Sequence, residues 1–340
     1  LKVKISADLL EEAKQIHAES IIIDAHCDTA LHIIDRLGRP GWKPRSIVER
    51  SEQGHVDIPR LFEAGVTCQF FAIYVDAIYK PEKATARALE LISALYSEFE
   101  KAEGKVVVAK STEDILKAKN QGKISALISL EGGEPIQFSP LLLKAFHMLG
   151  MRAMSLTWNE RNMLADGISE SITKGGLTTL GLKVIEKMED LGIIVDVSHI
   201  SEAGFWDIVE NCSKPIIASH SDCRELCNHP RNLTDEQLKA IAEKNGVVGV
   251  NFYPKFLVKD GEATIDDVVR HIDHIVNVAG INHVGLGSDF DGISSTPKGL
   301  EDVSKLPNLT AKLIERGYSK SEIKKILGEN FLRVIREVVG

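Results

Sequence analysis

Short apolar runs rich in β-branched residues recur along the chain, at 21–28, 66–75, 124–131, 153–159, 193–199, 215–220, 246–253 and 283–289. They are nearly continuous in hydrophobicity rather than alternating, which is the pattern of strands covered on both faces by helices. Between them lie segments of helical period, such as 85–103, 179–191, 235–245 and 265–279. Ser201 before Glu202, and Thr234 before Asp235 and Glu236, mark helix starts. A β-α alternation repeated eight times predicts a closed parallel (β/α)8 barrel of the TIM type, although a doubly wound open sheet shares much of this pattern.

No stretch has a linker's composition, so one domain over 1–340 is expected, with an N-terminal helix within 1–20 and an inserted loop at 38–54. Two amphipathic helices, split near Gly328, are expected over 310–339 and would close the barrel.

The polar residues that end these strands change the picture from fold to chemistry. The first run ends His26-Cys27-Asp28 and the third ends Glu131-Gly132-Gly133, while the fifth, sixth and eighth end in His199, His220 and Asp289. C-terminal strand ends face the active site of a parallel barrel, so these groups are expected to converge. Two residues apart on a strand, His26 and Asp28 point to one side and can share a cation, with Cys27 on the other side. Any one such histidine is ordinary; six ionisable groups ending buried strands are not.

Nitrogen and carboxylate ligands suit zinc, with manganese, cobalt or iron as substitutes. Two ions need five or six ligands with one carboxylate shared, and Glu131 lies between the His26/Asp28 pair and the His199/His220 pair. A hydroxide held between two ions is available near neutral pH. Asp289 then reads either as the base that moves the proton to the leaving amine or as a sixth ligand. Asp291, one step farther into the loop, is expected to order that loop's backbone instead. Arg231 reads as a clamp for a substrate carboxylate, as a stabiliser of an oxyanion, or as a surface ion pair.

Composition narrows the partners. A net charge of −8 without a local Lys/Arg cluster argues against nucleic acid and favours a small substrate. Five cysteines do not make an even disulfide framework, which suggests a reducing compartment. The charged residues scattered through 2–20, and the lack of an apolar tail or any run of about 18 apolar residues, give the expectation of a cytoplasmic protein not bound to a membrane.

With these residues in place, the chain resembles the membrane (renal) dipeptidase family, peptidase family M19, of the amidohydrolase superfamily. The resemblance runs from Asp24-Ala-His26-Cys-Asp28 through His55-Val-Asp57-Ile-Pro59-Arg60-Leu61, Glu131-Gly-Gly, Asp196-Val-Ser-His199, Ser219-His220-Ser221 and Arg231-Asn232 to Gly287-Ser-Asp289-Phe-Asp291-Gly. It implies that His26, Asp28 and bridging Glu131 hold one zinc, and Glu131, His199 and His220 the other, with Asp289 the proton shuttle and Arg231 the substrate anchor. The implied reaction is hydrolysis of dipeptides with free ends, often with a D-residue at the C-terminal position, and a homodimer is common in the family. A shared glutamate also accounts for the missing strand-end lysine that other amidohydrolases carbamylate, because Lys144 and Lys183 fall on helical segments.

One departure stands out. Trp158 occupies the position where mammalian members carry a substrate-polarising histidine, which shifts polarisation toward the metals and Arg231 and leaves the substrate range open. Tyr253, at the end of the seventh run, reads equally as pocket lining or as a structural aromatic. The competing readings are a dinuclear amidohydrolase for another amide, such as an N-acyl-amino acid or a β-lactam, and a non-catalytic metal-binding barrel.

Overall fold

The structure is a computed structural model and describes residues 5–36 and 41–340. Among the described residues nine parallel strands form one sheet: β1 (Ile23–Cys27), β2 (Cys68–Tyr74), β3 (Val106–Val108), β4 (Ile124–Glu131), β5 (Met151–Ser155), β6 (Ile194–Asp196), β7 (Ile217–Ala218), β8 (Val247–Val250) and β9 (Val284–Leu286). The sheet order β2-β1-β9-β8-β7-β6-β5-β4-β3 is closed by a seven-pair ladder between β2 and β4. Eight strands therefore make the barrel, and β3 lies outside it, on the edge of β4 that β5 occupies farther along. Each barrel strand overlaps an apolar run of the sequence, although β5 begins at Met151, two residues before the run at 153–159, and ends at Ser155. β3 does not: Val106–Val108 is too short to register as a covered strand.

The strand residues sort into two apolar layers. One set, including Ile128, Leu130, Val195, Val248 and Leu286, packs with the surrounding helices. The other, including Ile23, Phe70, Leu127, Ile194, Ile217 and Val247, packs with Phe331, Val334, Ile335 and Val338. The last helix, Asn330–Val338, thus plugs the N-terminal end of the barrel and leaves the C-terminal mouth as the open end.

This corrects the expected C-terminal boundaries. The first helix begins at Leu306 and stops at Arg316, where Gly317 caps it at φ 98°. Lys320–Lys324, a π-turn over Lys325–Glu329 and the plug helix follow. The chain leaves helical geometry at Gly328, where a Cβ would lie 2.5 Å from the Ile21 carbonyl oxygen, so that only glycine fits. The N-terminal helix spans Ala7–Glu19, with Ser6 as its cap. The part of the expected inserted loop at 38–40 lies outside the described residues, and 41–54 has no regular helix or strand. Among the described residues no helix is long and apolar enough to cross a membrane.

Candidate metal centre

The strand ends deliver the polar residues as the topology requires. On β1, simple alternation from the inward-packing Ile23 and Ala25 would turn Cys27 inward and His26 outward. A register shift between Asp24 and Cys27 reverses this, so Cys27 packs in the outer layer and His26 faces the mouth beside Asp28. His26 Nε2 lies 3.3 Å from Asp28 Oδ2, 3.6 Å from Glu131 Oε2 and 3.9 Å from Asp289 Oδ1.

Glu131, the last residue of β4, divides its two oxygens. Oε2 faces His26, while Oε1 is 2.9 Å from His199 Nε2 and 3.7 Å from His220 Nε2. The two groups with metal-ligand spacing among the described residues are His26, Glu131 and His220, and His26, Asp28 and Asp289. His199 joins through its contact with Glu131, from a loop position held at φ 70°.

The tautomers of His199 and His220 follow from their outer partners. His199 Nδ1 donates to Asn159 Oδ1 at 2.7 Å. The Ser219 hydroxyl donates to Asp196, so its oxygen accepts from His220 Nδ1 at 2.8 Å. Both Nε2 atoms consequently carry lone pairs, and they face each other at 2.8 Å. Two lone pairs at that distance repel unless a cation takes both, which is what ligands to one ion need. Burial, with Arg231 next among the causes for His199 and His26 for His220, holds both rings far below the usual histidine range and keeps them neutral. At His26 burial also opposes the charge, but Glu131, Asp28 and Asp289 outweigh it and raise the imidazole to about 10. The cluster has an excess of negative charge that calls for a cation.

Asp289 sits at the rim of this cluster at φ 61°, where Asn251 Nδ2 donates to its Oδ2 at 2.9 Å. Burial raises its carboxyl to about 7; His26 acts against that shift and Asp28 with it. Asp291 turns away from the cluster, and its side chain accepts from Thr29, Arg45 and the His55 backbone N–H, tying the turn to other segments rather than ordering its own loop's backbone as expected. Arg231 is no surface ion pair. It is buried, its Nη2 donates to the His220 carbonyl at 3.2 Å, its guanidinium lies over the Phe256 ring, and its Nε has no protein acceptor. His199 and Arg231 line one cavity together with Ile200, Phe205 and Leu233.

Trp158 lies next to the cluster, its ring 5.8 Å from His199 and 5.1 Å from Tyr74. Tyr253 instead packs edge-on against Phe256 at 5.0 Å, and its backbone N–H donates to Asn251 Oδ1 at 2.6 Å. Sequence reasoning passed over Asn159, Ser219, Asp196 and Asn251, which orient the ionisable residues. Each stands within a motif or at a strand end, but an uncharged or one-layer-removed group gives no signal until its partner's position is known.

The chain matches the model of the membrane dipeptidase family, peptidase family M19, over residues 10–339. It is 36% identical to an uncharacterised dipeptidase of Schizosaccharomyces pombe, covering 97% of this chain and 85% of that one. The dipeptidase tcpJ of Claviceps purpurea is 35% identical over 84% of this chain and 69% of its own length. Among solved structures, a metallopeptidase of family M19 described as dipeptidase AC superposes with a TM-score of 0.83 at 29% identity, covering 94% of this chain and 99% of that one. A metallopeptidase of Rhodobacter sphaeroides, solved with a phosphinate mimic of the dipeptide L-Ala-D-Ala, gives the same TM-score at 28% identity and the same coverage. A closed barrel with its ionisable strand ends gathered at one mouth, matched to this family along nearly its whole length, belongs to the membrane dipeptidase family of peptide-bond hydrolases, peptidase family M19.

Proposed function

We propose that this chain is a dinuclear zinc dipeptidase that hydrolyses dipeptides with free amino and carboxyl ends, L-D members included. The observation that carries the reading is the division of Glu131: one oxygen is directed at His26 and the other at His199 and His220, as a carboxylate shared by two ions requires. His26, Asp28 and Glu131 would hold one ion, and Glu131, His199 and His220 the other. The facing Nε2 lone pairs and the surplus carboxylates fit that assignment. When bound, the ions supply Lewis acidity, polarising the scissile carbonyl and bringing the pKa of an attacking water to about 7.

The chain's own residues do the rest. Asp289, held by Asn251, takes the proton of the attacking water on its free Oδ1 and returns it to the leaving nitrogen. Arg231 spends its unpartnered donor on the substrate carboxylate, fixing the C-terminal end. Trp158 and Tyr74 wall the site on the His199 side and exclude water there. The phosphinate-bound Rhodobacter relative supports the inclusion of L-D members, since its ligand mimics L-Ala-D-Ala. Five buried free cysteines support a reducing, cytoplasmic setting.

Metal analysis after equilibration with zinc tests the assignment directly. About two equivalents are expected for the native chain and one or fewer for Glu131→Gln; two in both would remove Glu131 as the shared ligand.

A further inference from the structure

Asp289 occupies the left-handed region at φ 61°, and two residues later Asp291 does so again at φ 67°. Two such residues in one turn are costly for side chains with a Cβ and persist only where their surroundings fix them. The surroundings here are unusually specific. Asp291 Oδ1 accepts from the His55 backbone N–H at 2.6 Å, and its own N–H donates to His55 Nδ1 at 2.9 Å. Its Oδ2 accepts from Thr29 Oγ1 at 2.8 Å and from Arg45 Nη2 at 2.6 Å. Its carbonyl accepts from His32 Nε2 at 2.9 Å. The Asp291 side chain is fully buried and that of Arg45 is 7% exposed.

Arg45 is seated by a glycine. A Cβ on Gly54 would lie 2.4 Å from Arg45 Nη2, so the guanidinium fits only over a residue without one. Gly292 plays the matching part on the other side, since a Cβ there would lie 2.1 Å from Asp28 Oδ2 and 2.5 Å from Asp289 Oδ1. The turn is therefore pressed against β1 on one face and clamped by the 41–55 segment on the other.

We propose that the buried Arg45–Asp291 pair, seated on Gly54 and keyed by His55, is the positioning element that sets the Asp289 carboxylate for proton transfer. Arg45 and Asp291 do not touch substrate; they act through the backbone of the turn. The inference rests on the proton-transfer role given to Asp289 above. Its distinctive consequence is non-additivity: a residue that works only by aiming Asp289 has nothing left to contribute once that carboxylate is gone.

The test measures kcat, KM and zinc content for Arg45→Met and Asp291→Asn, each in the native and the Asp289→Asn backgrounds. Each variant is expected to lose roughly 10- to 100-fold in kcat in the native background, with KM within about threefold and zinc content unchanged. In the Asp289→Asn background the same changes are expected to alter the residual rate by less than about twofold. Arg45→Lys keeps the charge without the fork and should lose less than Arg45→Met. If Arg45→Met does not fold, Arg45→Lys and Gly54→Ala carry the same comparison. Equal losses in both backgrounds, or no loss in the native one, would overturn the proposal. Native-like kcat in Asp289→Asn alone would overturn the role of Asp289 itself, a separable failure.

Discussion

At the residue scale, the account rests on what each polar group does with its hydrogen-bonding capacity. Arg231 is the clearest case: a buried guanidinium with one donor on the His220 carbonyl and Nε unpartnered has unspent capacity beside the cluster. A carboxylate delivered by substrate would complete it. Arg231→Met is therefore expected to raise KM for free dipeptides by about tenfold or more, with a much smaller effect on kcat. The same variant should leave KM nearly unchanged for a dipeptide amidated at its C-terminus. An equal effect on both substrates, read by steady-state kinetics, would show that Arg231 does not contact the carboxylate.

At the element scale, the fold was legible in the sequence wherever a strand is buried on both faces, because eight such runs alternating with helical segments predict a parallel sheet covered by helices, and the ladder between β2 and β4 decides for the closed barrel over the doubly wound sheet. The site was legible for the same reason, since ionisable residues at the ends of those runs stand out against apolar surroundings. What stayed hidden depends on contacts between distant segments. The register shift on β1 that turns His26 inward and the edge strand β3 are set by packing partners that no local pattern announces. Glycines at the mouth belong to this class. A Cβ on Gly287 would lie 1.8 Å from the Ser219 carbonyl oxygen, and one on Gly249 2.2 Å from the same atom. Both obstacles are backbone, so neither can swing aside. Gly287→Ala is expected to cost about 3 kcal/mol or more in urea denaturation, or to prevent folding, because β7 and β9 must separate. A loss under about 1 kcal/mol would mean the strands are not held as closely as described.

At the scale of the whole molecule, two buried histidines that are not among the candidate metal ligands couple folding to pH. His17 Nδ1 donates to the Ala64 carbonyl and Nε2 accepts from Thr310 Oγ1, both at 2.7 Å, tying the first helix to two others. His271 accepts from the Cys223 N–H and donates to the Leu257 carbonyl, both at 3.0 Å. Burial, opposed by those backbone bonds, lowers each from 6.5 to about 4. The unfolded chain therefore takes up these protons first as pH falls. Stability is unaffected above about pH 6.5, falls between about 6.5 and 4, and levels off below. The loss is about 2 kcal/mol per histidine at pH 5. Comparing urea unfolding of the metal-free native chain and His17→Gln at pH 7 and 5 isolates one share: the variant should lose less on acidification, and an equal loss would contradict the assignment.

The central claim, a two-metal site built for free dipeptides, is tested most directly by hydrolysis of a panel of L-L, L-D and N-acetylated dipeptides by the zinc-loaded protein, with Glu131→Gln as control. The account predicts cleavage of free L-L and L-D members, loss of most activity on N-acetylation, and loss of activity in the control. Cleavage of acylated or cyclic amides with no turnover of free dipeptides would contradict it.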